Sequence, residues 1–75
     1  MRLHLGGYFS FYVAGQPWVD IDLRKPARLN DLLTDLHIPL AEVYLAVVNG
    51  EKVEPEATLV SDGDVVKLFP PLDGG

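Results

Sequence analysis

The sequence predicts an α+β domain in which a mixed sheet carries one amphipathic helix across one face. Three observations lead there. Short alternating segments recur along the chain, a single stretch from Leu29 to Leu36 has helical spacing, and Asn49-Gly50 and Asp62-Gly63 punctuate the second half as turns. One helix cannot cover both faces of a sheet, so it must lie on one of them. The chain has 75 residues, enough for one domain with one core.

The elements follow in order. Arg2-Leu3-His4-Leu5 alternates polar and apolar and reads as a first strand. Gly6-Gly7 interrupts it, and the aromatic stretch Tyr8-Phe9-Ser10-Phe11-Tyr12-Val13 follows. That stretch either packs into the sheet edge or forms a docking patch. Ala14-Gly15-Gln16-Pro17 is a turn, after which Trp18 to Leu23 alternates again. Val19, Ile21 and Leu23 share one face, so this is a half-buried strand, hairpin-paired to the first. Trp18 falls on the opposite face and covers the open side of the sheet or marks a self-association surface.

Pro26 opens the helical segment, where Leu29, Leu32, Leu33 and Leu36 keep i, i+3, i+4, i+7 spacing. Ile38-Pro39 closes it, because the residue before proline is pushed out of the helical region. Val43 to Val48 is a continuous apolar run, expected to be a central strand covered on both faces. Asn49-Gly50 tolerates positive φ at both positions and turns the chain into a brief edge strand at Lys52-Val53. Asp62-Gly63 is a second turn, and Asp64 to Phe69 is the last strand. Strand, strand, helix, strand, short strand, strand is the layout of a β-grasp.

Composition narrows the functional classes. Cysteine is absent, which excludes a disulfide scaffold, a thiolate nucleophile and a cysteine-based metal site. His4 and His37 have no partner at metal-ligand spacing, so no metal is expected. The net charge is −5, and the acidic excess falls in residues 41–75, with Glu42, Glu51, Glu54, Glu56, Asp62, Asp64 and Asp73 against Lys52 and Lys67. Phosphate binding needs clustered cations, so nucleic acid is not an expected partner, whereas a basic protein groove is compatible. Acidity that only keeps a small protein soluble is the alternative. No signal peptide and no membrane-spanning run is visible, and the expected location is cytoplasmic. Neither a catalytic dyad nor a phosphate-binding glycine loop occurs, so the chain is not expected to be an enzyme itself. Asp62 and Asp64 flank a glycine, and turn chemistry accounts for both.

The end of the sequence carries the strongest functional signal. Residues 1–69 form the expected domain and residues 70–75 an extended tail, Pro70-Pro71-Leu72-Asp73-Gly74-Gly75. Two prolines keep the tail extended, since each fixes φ and neither can donate to a strand ladder. Two glycines without Cβ atoms let the backbone enter a slot too narrow for other residues. A carboxylate on such an arm is within reach of another protein.

With that tail, the Val47-Val48-Asn49-Gly50 turn and Asp62-Gly63-Asp64, the chain resembles the MoaD/ThiS family of ubiquitin-like sulfur carriers. The resemblance implies that an E1-like activating enzyme uses ATP to adenylate the Gly75 carboxylate. A persulfide-bearing sulfurtransferase would then convert it to a thiocarboxylate, and no cofactor would be bound tightly by the carrier. The tail looks most like that of the molybdopterin synthase small subunit, whose partner is the sulfur-accepting large subunit. By that likeness Phe69 and Leu72 anchor the arm, Pro70 and Pro71 stiffen it against the partner, and Gly74 threads a narrow channel. The aromatic stretch after the first strand departs from the Leu-Arg-Glu-like segment common there, and the helix is short, as in the thiamine-type branch. A protein modifier conjugated through Gly75, or a plain binding module with an incidental tail, are the other classes considered.

Overall fold

The computed structural model describes residues 1–71. Five strands form the main sheet: β1 (Arg2–Leu5), β2 (Trp18–Asp20), β4 (Leu45–Val48), β5 (Glu51–Val53) and β7 (Val65–Phe69), in the order β2-β1-β7-β4-β5. The final strand is therefore the central one. It runs parallel to β1, with Leu3 beside Val66 and Leu5 beside Leu68, and antiparallel to β4, with Ala46 opposite Leu68. A β1–β2 hairpin and a β4–β5 hairpin supply the two flanks. Two further strands of two residues each, β3 (Ala27–Arg28) and β6 (Leu59–Val60), pair antiparallel as a separate ribbon at the start of the helix α1 (Leu29–Asp35). This mixed sheet crossed by one α-helix is the β-grasp expected from the sequence.

Alternation along the strands decides what is buried. Leu3, Leu5, Ala46, Val66 and Leu68 face α1, where Leu29 and Leu33 meet them, and Phe9, Ile38 and Val60 close the core. Each fully buried leucine or phenylalanine contributes about 1.5–3 kcal/mol of apolar transfer free energy. Val19, Ile21 and Leu23 pack on the rim of this core as the alternation predicted.

Three local expectations change on inspection. The run from Val43 becomes a strand only at Leu45; it is an interior strand, paired to β7 and β5, but covered on one face only, with Ala46 alone fully buried and Leu45 and Val47 on the uncovered face. An apolar run reads the same whether one face or both are covered, which is why periodicity could not place it. The aromatic stretch is neither strand nor sheet edge but a 3₁₀ helix, Gly7–Val13, in which only Phe9 is buried. Helix α1 stops before the Ile38-Pro39 boundary. His37, at φ 60°, takes the left-handed position, its N–H donates to the Thr34 carbonyl at 3.0 Å, and the Ile38 N–H donates to the Leu33 carbonyl at 2.9 Å. These two bonds satisfy the last carbonyls and fold buried Ile38 back over Leu33.

The turn residues act across the molecule. Asn49 and Gly50, at φ 50° and 87°, make the mirror-image turn that suits the right-handed twist of a hairpin. Asn49 also reaches β7: its side-chain oxygen accepts from the Val65 N–H and its amide donates to Asp64, both at 2.9 Å. Asp64 accepts a second bond from the Ser61 N–H at 2.7 Å, and Asp62 accepts from the Leu23 N–H at 2.9 Å. The Asn49 amide bond, followed by the Ser61 N–H, holds the Asp64 carboxyl below the usual range; the Leu23 N–H, then the nearby Met1 ammonium, does the same for Asp62.

Both groups have folded-state pKa values depressed below about 3.9, so their stabilisation is present above that pH and is lost as pH falls through the folded values. Thermal melts from pH 7 to pH 3 are expected to show this acid limb. Asp64→Ala should melt lower at pH 7 and converge on the native protein in acid. Parallel curves for the two proteins would mean that Asp64 adds nothing through its charge.

Candidate functional site

The root of the C-terminal arm is built where β7 leaves the sheet. Because β7 is parallel to β1, the two strands end side by side, and the chain after Leu5 runs directly against Leu68 and Phe69. The Gly6 N–H donates to the Leu68 carbonyl at 2.8 Å, and the Tyr44 N–H donates to the Phe69 carbonyl at 2.9 Å, so both flanks hold the last residues of the strand. A Cβ on Gly6 would come within 2.6 Å of the Phe69 ring and 2.9 Å of the Leu68 carbonyl oxygen. One on Gly7, at φ 52°, would meet the Pro70 ring at 2.8 Å. The Gly-Gly interruption after the first strand is therefore the seat of the arm. No other residue pair lets the backbones approach this closely.

Pro70 has no N–H to donate, so the ladder stops at Phe69. Pro70 itself is buried, and Pro71 is exposed. Phe69 is half-buried on the uncovered face of the sheet, 6.0 Å from the His4 ring, which lies 4.6 Å from Trp18. Trp18 does cover part of the open face, as its position in the alternation suggested, and Arg2 stacks on it at 5.1 Å. The Nδ1 atom of His4 is buried in this aromatic row without a hydrogen-bond partner. Beyond Phe69, Tyr44, Leu45 and Pro70 complete a shallow hollow of about 150 Å³.

An aromatic corner sits beside the root. The Tyr8 and Tyr12 hydroxyls both donate to Oε1 of Glu42, at 2.7 and 3.3 Å, tying the Gly7–Val13 helix to the short 3₁₀ turn Leu40–Glu42. The hydrogen bond to Glu42 pushes the Tyr8 phenol up to about 12; loss of hydration, followed by the Glu42 charge, raises Tyr12. A phenol that donates to a carboxylate resists losing its proton.

Of the predicted site residues, the structure thus brings Phe69 and Pro70 to the root and leaves Pro71 exposed next to it. Leu72, Gly74 and Gly75 lie outside the described residues. Sequence reasoning missed Gly6, Gly7, Tyr44 and Leu45, whose roles come from neighbours distant in the chain. A Gly-Gly pair directly after a strand that pairs with the last strand was the available signal. Among the described residues no group of three or more His, Asp and Glu side chains has a metal-holding arrangement. Among the described residues the arrangement holds Phe69 and Pro70 tightly at the end of the sheet.

The model of the ThiS family matches residues 13–75. A putative molybdopterin converting factor, subunit 1, from Pyrococcus furiosus is 27% identical, with 95% of each chain covered and a TM-score of 0.68. The crystal structure of a thiamine biosynthesis protein (ThiS) from Geobacter metallireducens is 28% identical over the whole of both chains, with a TM-score of 0.60. No curated protein matches the chain.

Gly6→Ala should destabilise the domain by about 1–3 kcal/mol, because the intruding methyl meets a backbone carbonyl that cannot swing aside. Chemical denaturation measures the loss, and the Phe69 ring resonances should shift with it. A variant of native stability with unmoved Phe69 resonances would show that the close approach is not needed.

Proposed function

This chain belongs to the ThiS family of small sulfur carrier proteins, and from that premise we propose that its own working group is the carboxylate of Gly75. A carboxylate is a poor electrophile, so an E1-like enzyme first joins it to the α-phosphate of ATP, releasing pyrophosphate. The acyl adenylate then carries a good leaving group. A persulfide sulfur displaces AMP, and a thiol cleaves the resulting acyl disulfide to leave a thiocarboxylate on Gly75. The thiocarboxylate delivers its sulfur inside an accepting enzyme. The carrier supplies position and reach, and the acid–base and oxyanion groups belong to its partners.

The observation that carries this reading is the rooted arm. Phe69 and Pro70 are clamped by Gly6, Gly7 and Tyr44, and the sequence runs on from exposed Pro71 to Gly74-Gly75. Six residues follow Phe69 and can span at most about 22 Å when fully extended, so an accepting site must open within that distance of the sheet's end. Molybdopterin synthesis is the pathway we propose first, supported by the likeness to the Pyrococcus converting factor and by the Phe69-Pro70-Pro71 arm. The accepting enzyme would then be a molybdopterin synthase large subunit. Thiamine synthesis is the second reading, favoured by the family match and the seven-residue helix.

Intact mass after incubation with ATP, an E1-like activating enzyme and a persulfide donor tests the proposal. The expected result is a gain equal to replacement of one oxygen by sulfur, localised to the peptide ending at Gly75. Deletion of Gly75 should abolish the gain while the folded signal persists. No gain with an activating enzyme that works on other carriers would overturn the reading.

A further inference from the structure

We propose that the aromatic corner beside the arm's root binds an arginine side chain carried on an apolar segment of a partner protein. That the partner is the one receiving the arm rests on the carrier reading; the arginine site itself does not.

Residues 7–13 form a 3₁₀ helix. With three residues per turn, Tyr8 and Phe11 stack on one side while Phe9 and Tyr12 stack on another. Phe9 goes to the core, which leaves Phe11 79% exposed with Tyr8 and Tyr12 about 40% exposed beside it. Across the hydrogen bonds to Glu42, Leu40 is also 40% exposed and Tyr44 is 69% exposed. Val43, extended at φ −76° and ψ 102°, carries the chain from Glu42 to Tyr44. Tying the helix to the turn explains the two tyrosine hydroxyls. It does not explain why Phe11 and Tyr44 stand in water.

Charge decides the occupant. Residues 7–13 and 40–44 contain one carboxylate, Glu42, and no lysine or arginine. Among the described residues the ion pairs involve Asp62 and Asp20, so Glu42 has no cation. Both phenols converge on its Oε1, which fixes the carboxylate and leaves Oε2 to accept from outside. The Tyr8 and Tyr12 rings meet edge to face at 6.3 Å, presenting a π-surface next to that oxygen. A guanidinium suits this pair of features better than an ammonium: it is planar, weakly hydrated, and can stack on a ring while donating to a carboxylate. Phe11, Leu40 and Tyr44 then take the apolar residues on either side of the arginine. Tyrosine and arginine are the residues that most often anchor protein interfaces. The patch also borders the root, since Gly7, which precedes Tyr8, contacts Pro70, and Tyr44 bonds Phe69.

The test is an NMR titration of the whole ¹⁵N-labelled chain with the peptide Leu-Arg-Leu-Arg-Phe, its lysine counterpart and its glutamate counterpart. The arginine peptide is expected to shift amides of residues 7–13 and 40–45, the lysine peptide to bind more weakly, and the glutamate peptide to leave the spectrum unchanged. Glu42→Gln, a surface change that keeps the fold, should weaken the arginine peptide by roughly fivefold, the scale of one partly screened charge-assisted contact. Phe11→Ala, at a ring 79% exposed, should weaken it as well. Shifts confined to the uncovered sheet face, equal binding by Glu42→Gln, or equal response to the lysine peptide would overturn the proposal. So would the same amides responding to neutral phosphatidylcholine vesicles, which would make the corner a lipid-facing patch. None of these readouts involves Gly75, so the carrier reading and the arginine site fail or stand separately.

Discussion

Pairing of the last strand along both of its edges is the constraint on which the rest of this structure hangs. Strand β7 contributes Val66 and Leu68 to the core, bridges the two hairpins, and delivers Phe69 and Pro70 to the end of the sheet. Its parallel partner is the first strand, so two of the most distant parts of the chain must meet before the β1–β2 hairpin joins the rest of the sheet. Such long-range closure is slow to form, because loop entropy is lost before the contacts are made. The Asn49-Gly50 turn pairs β4 with β5 locally, and the Asn49 side chain, bonded to Asp64 and the Val65 N–H, then holds that hairpin in register against the start of β7. Gly6 and Gly7 belong to the same constraint. They permit the parallel pair to run tight to its end, where any side chain would push Phe69 and Pro70 away.

Much of this was legible from local pattern. Leu29, Leu32, Leu33 and Leu36 marked the helix because burial on one face leaves a 3.6-residue trace. Val19, Ile21 and Leu23 marked the core side of the second segment, and Asn49-Gly50 and Asp62-Gly63 marked turns that need positive φ or local carboxylates. The ribbon of Ala27–Arg28 with Leu59–Val60 left no trace, since two residues are too few to show a period. The aromatic stretch misled because a period of three resembles neither a strand nor an α-helix. Gly6-Gly7 read as an interruption because its meaning lies in Leu68, Phe69 and Pro70, which no window around residue 6 contains. At the site, Phe69 and Pro70 were picked out by their place before Gly-Gly, while Tyr44 and Leu45 came from strand register alone.

The charge pattern also changes character once folded. The acidic second half suggested a surface suited to a basic groove. By register, however, the uncovered sheet face carries Arg2, Lys52 and Lys67 against Asp20 alone, interleaved with Trp18, His4 and Phe69. Asp62 and Asp64 are engaged in turns, and Glu42 sits in the aromatic corner. The molecule therefore presents a cationic, aromatic sheet face and a separate anionic corner, both adjoining the root of the arm. A partner reading both must itself be of mixed sign.

The central position of β7 has a consequence for amide hydrogen exchange. Edge strands β2 and β5 each lack a neighbour on one side and can fray without disturbing the sheet, whereas β7 opens only when both of its partners let go. Protection factors should therefore climb from the rim of the sheet inward and peak at Val66–Leu68, immediately before the arm. The most slowly exchanging backbone in the domain should therefore lie next to Phe69 and Pro70. Breathing of the rim should leave Phe69 and Pro70 in place.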